Sequence, residues 1–150
     1  YTMAEFHEIA GYEVLSTLGF GARSTIYSVR DAKRGECFAL KRVVKSSPSD
    51  QRYLDQAILE HEIATRFDHP SLRKSLKLIK QREFIRVSEV LVLMELVEGK
   101  TLENYQPDGL LELVSVAKQV GEGLRVMHDL NYVHADIKPN NIMLASKVAG

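Results

Sequence analysis

The spacing of apolar residues changes near residues 98–100. Before that point short β-branched or alternating runs dominate, and beyond it a long run recurs at threes and fours. Residues 12–18 and 24–30 flank Gly19-Phe20-Gly21-Ala22-Arg23, which predicts a hairpin with a glycine-bearing tip. A polar turn containing Gly35 leads into a third strand over 37–44, where alternation puts Cys37, Ala39, Lys41 and Val43 on one face. Residues 46–50 supply N-cap side chains for a helix over 51–67, on which Tyr53, Ala57, Glu60, Ala64 and Phe67 share a stripe. Residues 75–80 and 87–94 predict two more strands, giving five antiparallel strands and one helix.

The second part predicts a short helix at 101–105, a turn at Gln106-Pro107-Asp108-Gly109, and a long helix from Leu110 to about Leu130. Its apolar positions Leu110, Leu113, Val114, Ala117, Val120, Leu124, Met127 and Leu130 are assigned to core packing. Gly121 and Gly123 each weaken a helix by up to ~1 kcal/mol relative to alanine, which predicts close packing at both. No internal repeat or low-complexity segment appears.

One stretch fits neither pattern. Tyr132-Val133 and Ile142-Met143-Leu144 flank a polar segment with an acid, an ammonium and two carboxamides, Asp136, Lys138, Asn140 and Asn141, with Pro139 fixing the backbone between them. That is a rigid loop presenting reactive groups. Two further places bear on chemistry. Glycines at a hairpin tip let successive backbone N–H groups approach an anion closely, although taken alone such a tip is only a turn. Lys41 lies among small apolar neighbours, where it either runs its stem off a strand edge or requires an anionic partner.

Composition narrows the setting. The 150 residues are 45% apolar and 27% charged, enough for a packed core without disordered or fibrous bias. Twenty Lys and Arg balance twenty Asp and Glu, so the charge calls for neither nucleic acid nor an anionic membrane. The single Cys37 forms no internal disulfide and no Cys/His cluster has metal-ligand spacing, which points to a reducing cytoplasmic setting. The longest apolar run, 90–94, is too short to span a bilayer, and the start has no basic segment leading into an apolar one. A chain opening on Tyr1 and stopping at Val148-Ala149-Gly150 reads as a fragment, so an anchor beyond either end stays open.

The loop at 132–144 resembles the catalytic loop of protein kinases, H-R-D-x-x-x-x-N, with His134, Asp136 and Asn141 in register and Ala135 where arginine is usual. The run Gly19 to Ile26 is similar to the kinase loop G-x-G-x-x-G-x-V, with Ser24 for the third glycine and Ile26 for valine. Its place between two strands excludes the dinucleotide fingerprint, which needs strand, glycines, then helix. Phe38-Ala39-Leu40-Lys41 resembles V-A-I-K, whose lysine pairs the α- and β-phosphates of the nucleotide. Glu60, at the family's distance from His69-Pro70, is assigned as the partner of Lys41; Glu62, four before Arg66, reads as half of an exposed pair.

The resemblance, to eukaryotic-type serine/threonine protein kinases, covers nearly the whole chain. It implies an α+β fold: a five-stranded antiparallel sheet with one helix, the N-lobe and hinge at 12–98, then at 99–150 the start of a truncated, mainly helical C-lobe. It also implies ATP and Mg²⁺ as cofactors and protein serine or threonine hydroxyls as substrate. Leu18, Ile26, Ala39 and Met143 would sandwich the adenine, with Met94 as gatekeeper and the main chain of Glu95 and Val97 reading its edge. The backbone of Gly19, Phe20, Gly21, Ala22, Arg23 and Ser24 would cover the phosphates, and Lys41 held by Glu60 would grip them. Asp136 would accept the hydroxyl proton, Lys138 would steady the transferring group, and Asn141 would ligand one magnesium ion. Lysine two positions after the aspartate is the serine/threonine pattern.

Departures qualify this. Ala135 removes the guanidinium that pairs with a phosphorylated activation loop in many members, which makes that mode of regulation doubtful. The D-F-G element, the activation segment and the substrate-binding helices would follow Gly150. The 150 residues alone are therefore expected not to phosphorylate protein at a useful rate, and to expose apolar surface. The alternatives are a pseudokinase acting as a nucleotide-binding scaffold, against which retention of Lys41, Glu60, Asp136, Lys138 and Asn141 weighs, and a small-molecule kinase of related fold.

Overall fold

A computed structural model describes residues 7–146. The described residues up to Arg66, together with Lys74–Leu96, form one compact unit; Phe67–Arg73 and those from Val97 onward form a second.

The first unit is a sheet with one helix. Its strands are β1 (Glu8–Ile9), β2 (Tyr12–Phe20), β3 (Ser24–Asp31), β4 (Cys37–Val44), β5 (Ser75–Glu83) and β6 (Arg86–Glu95), antiparallel in the order β1-β2-β3-β4-β6-β5. The sheet thus has six strands where the sequence predicted five. The extra one returns through Ala10 and Gly11, both at positive φ, and pairs Ile9 with Tyr12. Two residues are too few to show a period of two, so β1 is invisible to pattern reading.

Each sheet face has its own core. On one, Ile9, Tyr27, Val29, Leu40, Leu91 and Leu93 cluster, with Tyr12 and Phe38 packed edge to face at 6.3 Å. On the other, Val43, Val90 and Val92 meet Leu54 and Ala57 of α1 (Gln51–Ala64). The helix is shorter than predicted at its C-terminal end, and a 3₁₀ turn, Pro48–Asp50, leads into it. The Arg42 guanidinium grips Glu89 with Nε 2.6 Å from Oε1 and Nη2 3.2 Å from Oε2, tying β4 to β6.

The second unit is built on α2 (Gly109–Asp129) and a two-stranded ladder, β7 (Gly99–Thr101) with β8 (Met143–Ala145). No helix forms at 101–105, because Thr101 is drawn into the ladder opposite Met143. Tyr105 Oη instead donates to Glu112 at 3.0 Å, and the Asp108 N–H also bonds Glu112, fixing the turn ahead of α2. Asn131, at φ 63°, ends that helix in the left-handed conformation, with its N–H bonded to His128 O and the Tyr132 N–H to Met127 O.

The apolar positions of α2 do not all pack. Val116, Gly123 and Met127 are buried, whereas Leu110, Leu113 and Val114 are more than half exposed, and Leu111 is 88% exposed. Periodicity identifies the face a helix has available for burial and carries no information about whether a neighbour covers it. Gly123 sits close against Ser71 and Leu72, as its smallness predicts, but Gly121 faces open space.

Candidate active site

In the first unit the ladder register gathers the predicted nucleotide residues on one face. Gly19 pairs with Ile26, Ile26 with Lys41, and Ala39 with Met94, so Ile26, Ala39, Lys41 and Met94 project on the side where α1 packs. Ala39 is fully buried. The register of β2 slips between Thr17 and Gly19, leaving Leu18 outside the ladder and half exposed. Between β2 and β3 the Gly21 N–H closes the turn on Ser24 O at 2.8 Å, and a side chain at Gly21 would collide with the Ser24 hydroxyl. Phe20 is 71% exposed, and Ala22 and Arg23 are exposed beside it.

Lys41 Nζ lies 2.7 Å from Glu60 Oε2, and Glu60 Oε1 accepts the Gln56 amide at 2.9 Å. Glu62 is exposed and takes no part. The Lys41 side chain is 25% exposed and that of Glu60 49%, so the pair is wetter than a core ion pair. At the end of β6, Glu95 gives its N–H to Lys74 O and accepts the Lys74 N–H on Oε1.

The second unit carries the predicted catalytic-loop residues. Val97 is its first residue after β6. Phe67 and Tyr132 pack edge to face at 5.5 Å where the 132–144 loop begins. Ala135 takes φ 62°, turning the chain so that the Asp136 N–H meets His134 Nδ1 at 3.2 Å. The Asn141 side-chain amide donates to Asp136 O at 2.9 Å and Oδ2 at 3.2 Å, and Lys138 Nζ stands 3.5 Å from the same Oδ2. A short 3₁₀ turn, Pro139–Asn141, supplies the bend that lets Asn141 reach back. Met143, in β8, has Sδ 3.9 Å from the Arg73 guanidinium.

The protein kinase domain model matches residues 12–149. The chain belongs to the protein kinase family. It is 38% identical over 137 residues to mitogen-activated protein kinase kinase 9 of Arabidopsis thaliana, covering 90% of this chain and 42% of that protein. It is 33% identical over 143 residues to cyclin-dependent kinase 4 of Xenopus laevis, covering 90% and 44%. The kinase chain thus spans less than half the length of these curated relatives. A solved structure described as the apo form of PpkA-294 superposes with a TM-score of 0.80 at 19% identity, covering 93% of this chain and 56% of that one, which shows the fold.

Against the kinase pattern, the structure adds what sequence reading missed. Arg23 Nε stands 3.3 Å from Asp50 Oδ1, so the glycine turn is tied to the residue that opens α1. Asp50 was legible only as a cap. Its Oδ2 accepts the N–H groups of Ser46 and Ser47, both at 3.0 Å, and Ser47 three residues before an acid is the spacing that signals such capping. Burial works against its ionisation, yet these two N–H groups and the Arg23 guanidinium hold its carboxyl below the ordinary range.

Proposed function

We propose that this kinase chain is the nucleotide-binding and catalytic-loop portion of a serine/threonine protein kinase, transferring the γ-phosphate of ATP to protein hydroxyls. In this reading residues 12–98 are the N-lobe with its hinge and residues 99–150 begin the C-lobe; the first unit makes up most of the N-lobe, while Phe67–Arg73 and Val97 belong to the second unit. The observation that carries it is the Asp136 carboxylate, fixed through Oδ2 by Asn141 and flanked by the Lys138 ammonium. Both contacts fall on one oxygen, which leaves Oδ1 to accept a hydroxyl proton.

The donor set suits the cofactors. Magnesium favours oxygen ligands and keeps waters and substrate phosphates in its shell, so few protein oxygens are needed. The Asn141 amide spends its N–H₂ on Asp136, and its Oδ1 is the oxygen that would hold the ion. When bound, Mg²⁺ neutralises phosphate charge. Lys41, steadied by Glu60, would grip the α- and β-phosphates. The backbone from Gly19 to Ser24 would cover the phosphates, and Leu18, Ile26, Ala39 and Met143 would hold the adenine. Met94 would limit the depth of its pocket, while Glu95 and Val97 read its edge through the main chain. Lys138 would stabilise charge on the moving phosphoryl group.

The Asp136-Ile137-Lys138-Pro139 run supports serine and threonine as acceptors. Cys37, free and exposed, supports a reducing, cytoplasmic compartment. Among the described residues no helix is long and apolar enough to cross a membrane.

The test is transfer of labelled γ-phosphate by the full-length protein, with Mg²⁺ and a generic basic protein as acceptor. Transfer onto serine or threonine that disappears in Asp136→Ala establishes the reading. Retained ATP binding with no transfer from either protein would replace it with a nucleotide-binding scaffold.

A further inference from the structure

The glycine turn is tethered by a side chain that the phosphate-binding pattern does not use. Little else packs on its tip: Phe20 is 71% exposed, and a cavity of about 300 Å³ opens between the turn and Arg42, Val44 and Ser46. Arg23 crosses from this tip to Asp50, Nε to Oδ1 at 3.3 Å.

The two ends of that link differ. The Arg23 side chain is 48% exposed, as a tip residue should be, whereas Asp50 is 2% exposed. The carboxylate is immobilised because the Ser46 and Ser47 N–H groups both bind Oδ2, leaving Oδ1 for the guanidinium. A flexible cation thus meets a fixed, nearly buried anion. That is a better tether than two mobile surface charges, since only one partner loses freedom on pairing.

Asp50 also opens α1, whose Glu60 holds Lys41. At 1.5 Å per residue, positions 50 and 60 lie roughly 15 Å apart along the helix axis. The helix is therefore joined to the nucleotide-facing strands at two separated points, the tip of the turn and Lys41.

We propose that Arg23 is a positioning residue: through Asp50 it holds the glycine turn against the start of α1, so that ATP meets a turn already in place. The inference rests on the kinase reading above. A pre-ordered turn does not have to be immobilised when phosphate arrives, so breaking the tether weakens nucleotide binding and leaves the chemical step alone. The retained face of Ile26, Ala39, Lys41 and Met94 does not depend on it.

The experiment measures Mg·ATP affinity, ATP KM and kcat in the full-length protein for wild type, Arg23→Ala, Arg23→Lys, Asp50→Asn and the double variant, with Lys41→Ala as a control. The expected result is an affinity loss of about three- to tenfold in Arg23→Ala, with KM raised in step and kcat within about twofold. Arg23→Lys should recover most of the loss, and Arg23→Ala/Asp50→Asn should be no weaker than the worse single variant. Since Asp50 is buried, the Arg23 variants decide the matter by themselves if Asp50→Asn misfolds. Amide hydrogen exchange in the nucleotide-free protein should quicken at residues 19–24 in Arg23→Ala and stay unchanged in β4.

Unchanged or tighter ATP binding in Arg23→Ala, while Lys41→Ala loses it, overturns the tether alone. A wild type that binds no nucleotide overturns the kinase reading, and the tether falls with it.

Discussion

Lys41 on β4 and Glu60 on α1, 19 residues apart in sequence, are joined at 2.7 Å between Nζ and Oε2. Both side chains keep substantial exposure, so the pair contributes little to folding, within about 1 kcal/mol for such exposed partners. Its consequence should appear on binding. Lys41→Ala and Glu60→Gln are expected to melt within a few degrees of wild type, with Mg·ATP affinity reduced roughly ten- to a hundredfold in the first and less in the second. Calorimetry and nucleotide titration on the same samples check both halves; a large loss of melting temperature with unchanged affinity would make the pair structural.

Asp136 makes the complementary case. It is held by Asn141 and Lys138 in the second unit and exposed to solvent, so replacement should not disturb the fold. Asp136→Asn is expected to bind Mg·ATP within about twofold of wild type and to lower phosphoryl transfer by at least about 10²-fold, the scale of losing a positioned general base. An Asn variant that retained full transfer would remove Asp136 from the chemistry. Asn141→Ala should lower transfer too, and its affinity should depend more weakly on Mg²⁺.

What could be read from the sequence depended on whether the signal was local. The bounds of β4 are the predicted 37–44, because alternation through Ala39, Lys41 and Val43 extends over the whole strand. The helix over 109–129 was placed to within a residue at each end, because its apolar repeat is long. The β7–β8 ladder was missed, since three-residue strands have no period and Thr101 meets Met143 across the whole of α2. Of the chemistry, Asp136 and Asn141 are close in sequence and their contact follows from a tight bend, whereas Arg23 and Asp50 are joined only once three strands and a helix have packed. The exposed apolar stripe of α2 was misassigned to the core for a different reason: a repeat of threes and fours is the same whether or not a neighbour is present.

The Asp50 carboxyl predicts acid sensitivity in the first unit. Its folded-state pKa is depressed, so the stability it contributes is fully present above the unfolded value of about 3.9 and is lost as pH falls through the lower folded value. Wild type should therefore lose stability with falling pH more steeply in that window than Asp50→Asn, which has no proton to take up there. Denaturant melts at half-unit pH steps between about 5 and 2 give the comparison. Parallel acid limbs for the two proteins would mean that Asp50 is not ionised against its partners in the fold.

Three glycines offer a test of packing that needs no ligand. A Cβ at Gly99 would run into the backbone carbonyl of Leu144, so Gly99→Ala must push β7 from β8 and should cost roughly 1–3 kcal/mol. Gly121 has nothing near it, and alanine there should stabilise α2 by up to ~1 kcal/mol through helix propensity alone. Gly123 lies between these cases: its Cβ would meet Ser71 Cβ and Leu72 Cδ2, both at 3.3 Å, so the propensity gain is offset by crowding. Melting temperatures should rank Gly121→Ala above Gly123→Ala and Gly99→Ala lowest. If Gly99→Ala were neutral, the ladder could not be as closely paired as the Gly99–Ala145 register requires, and the second unit would have to hold the strand after Asn141 by some other contact.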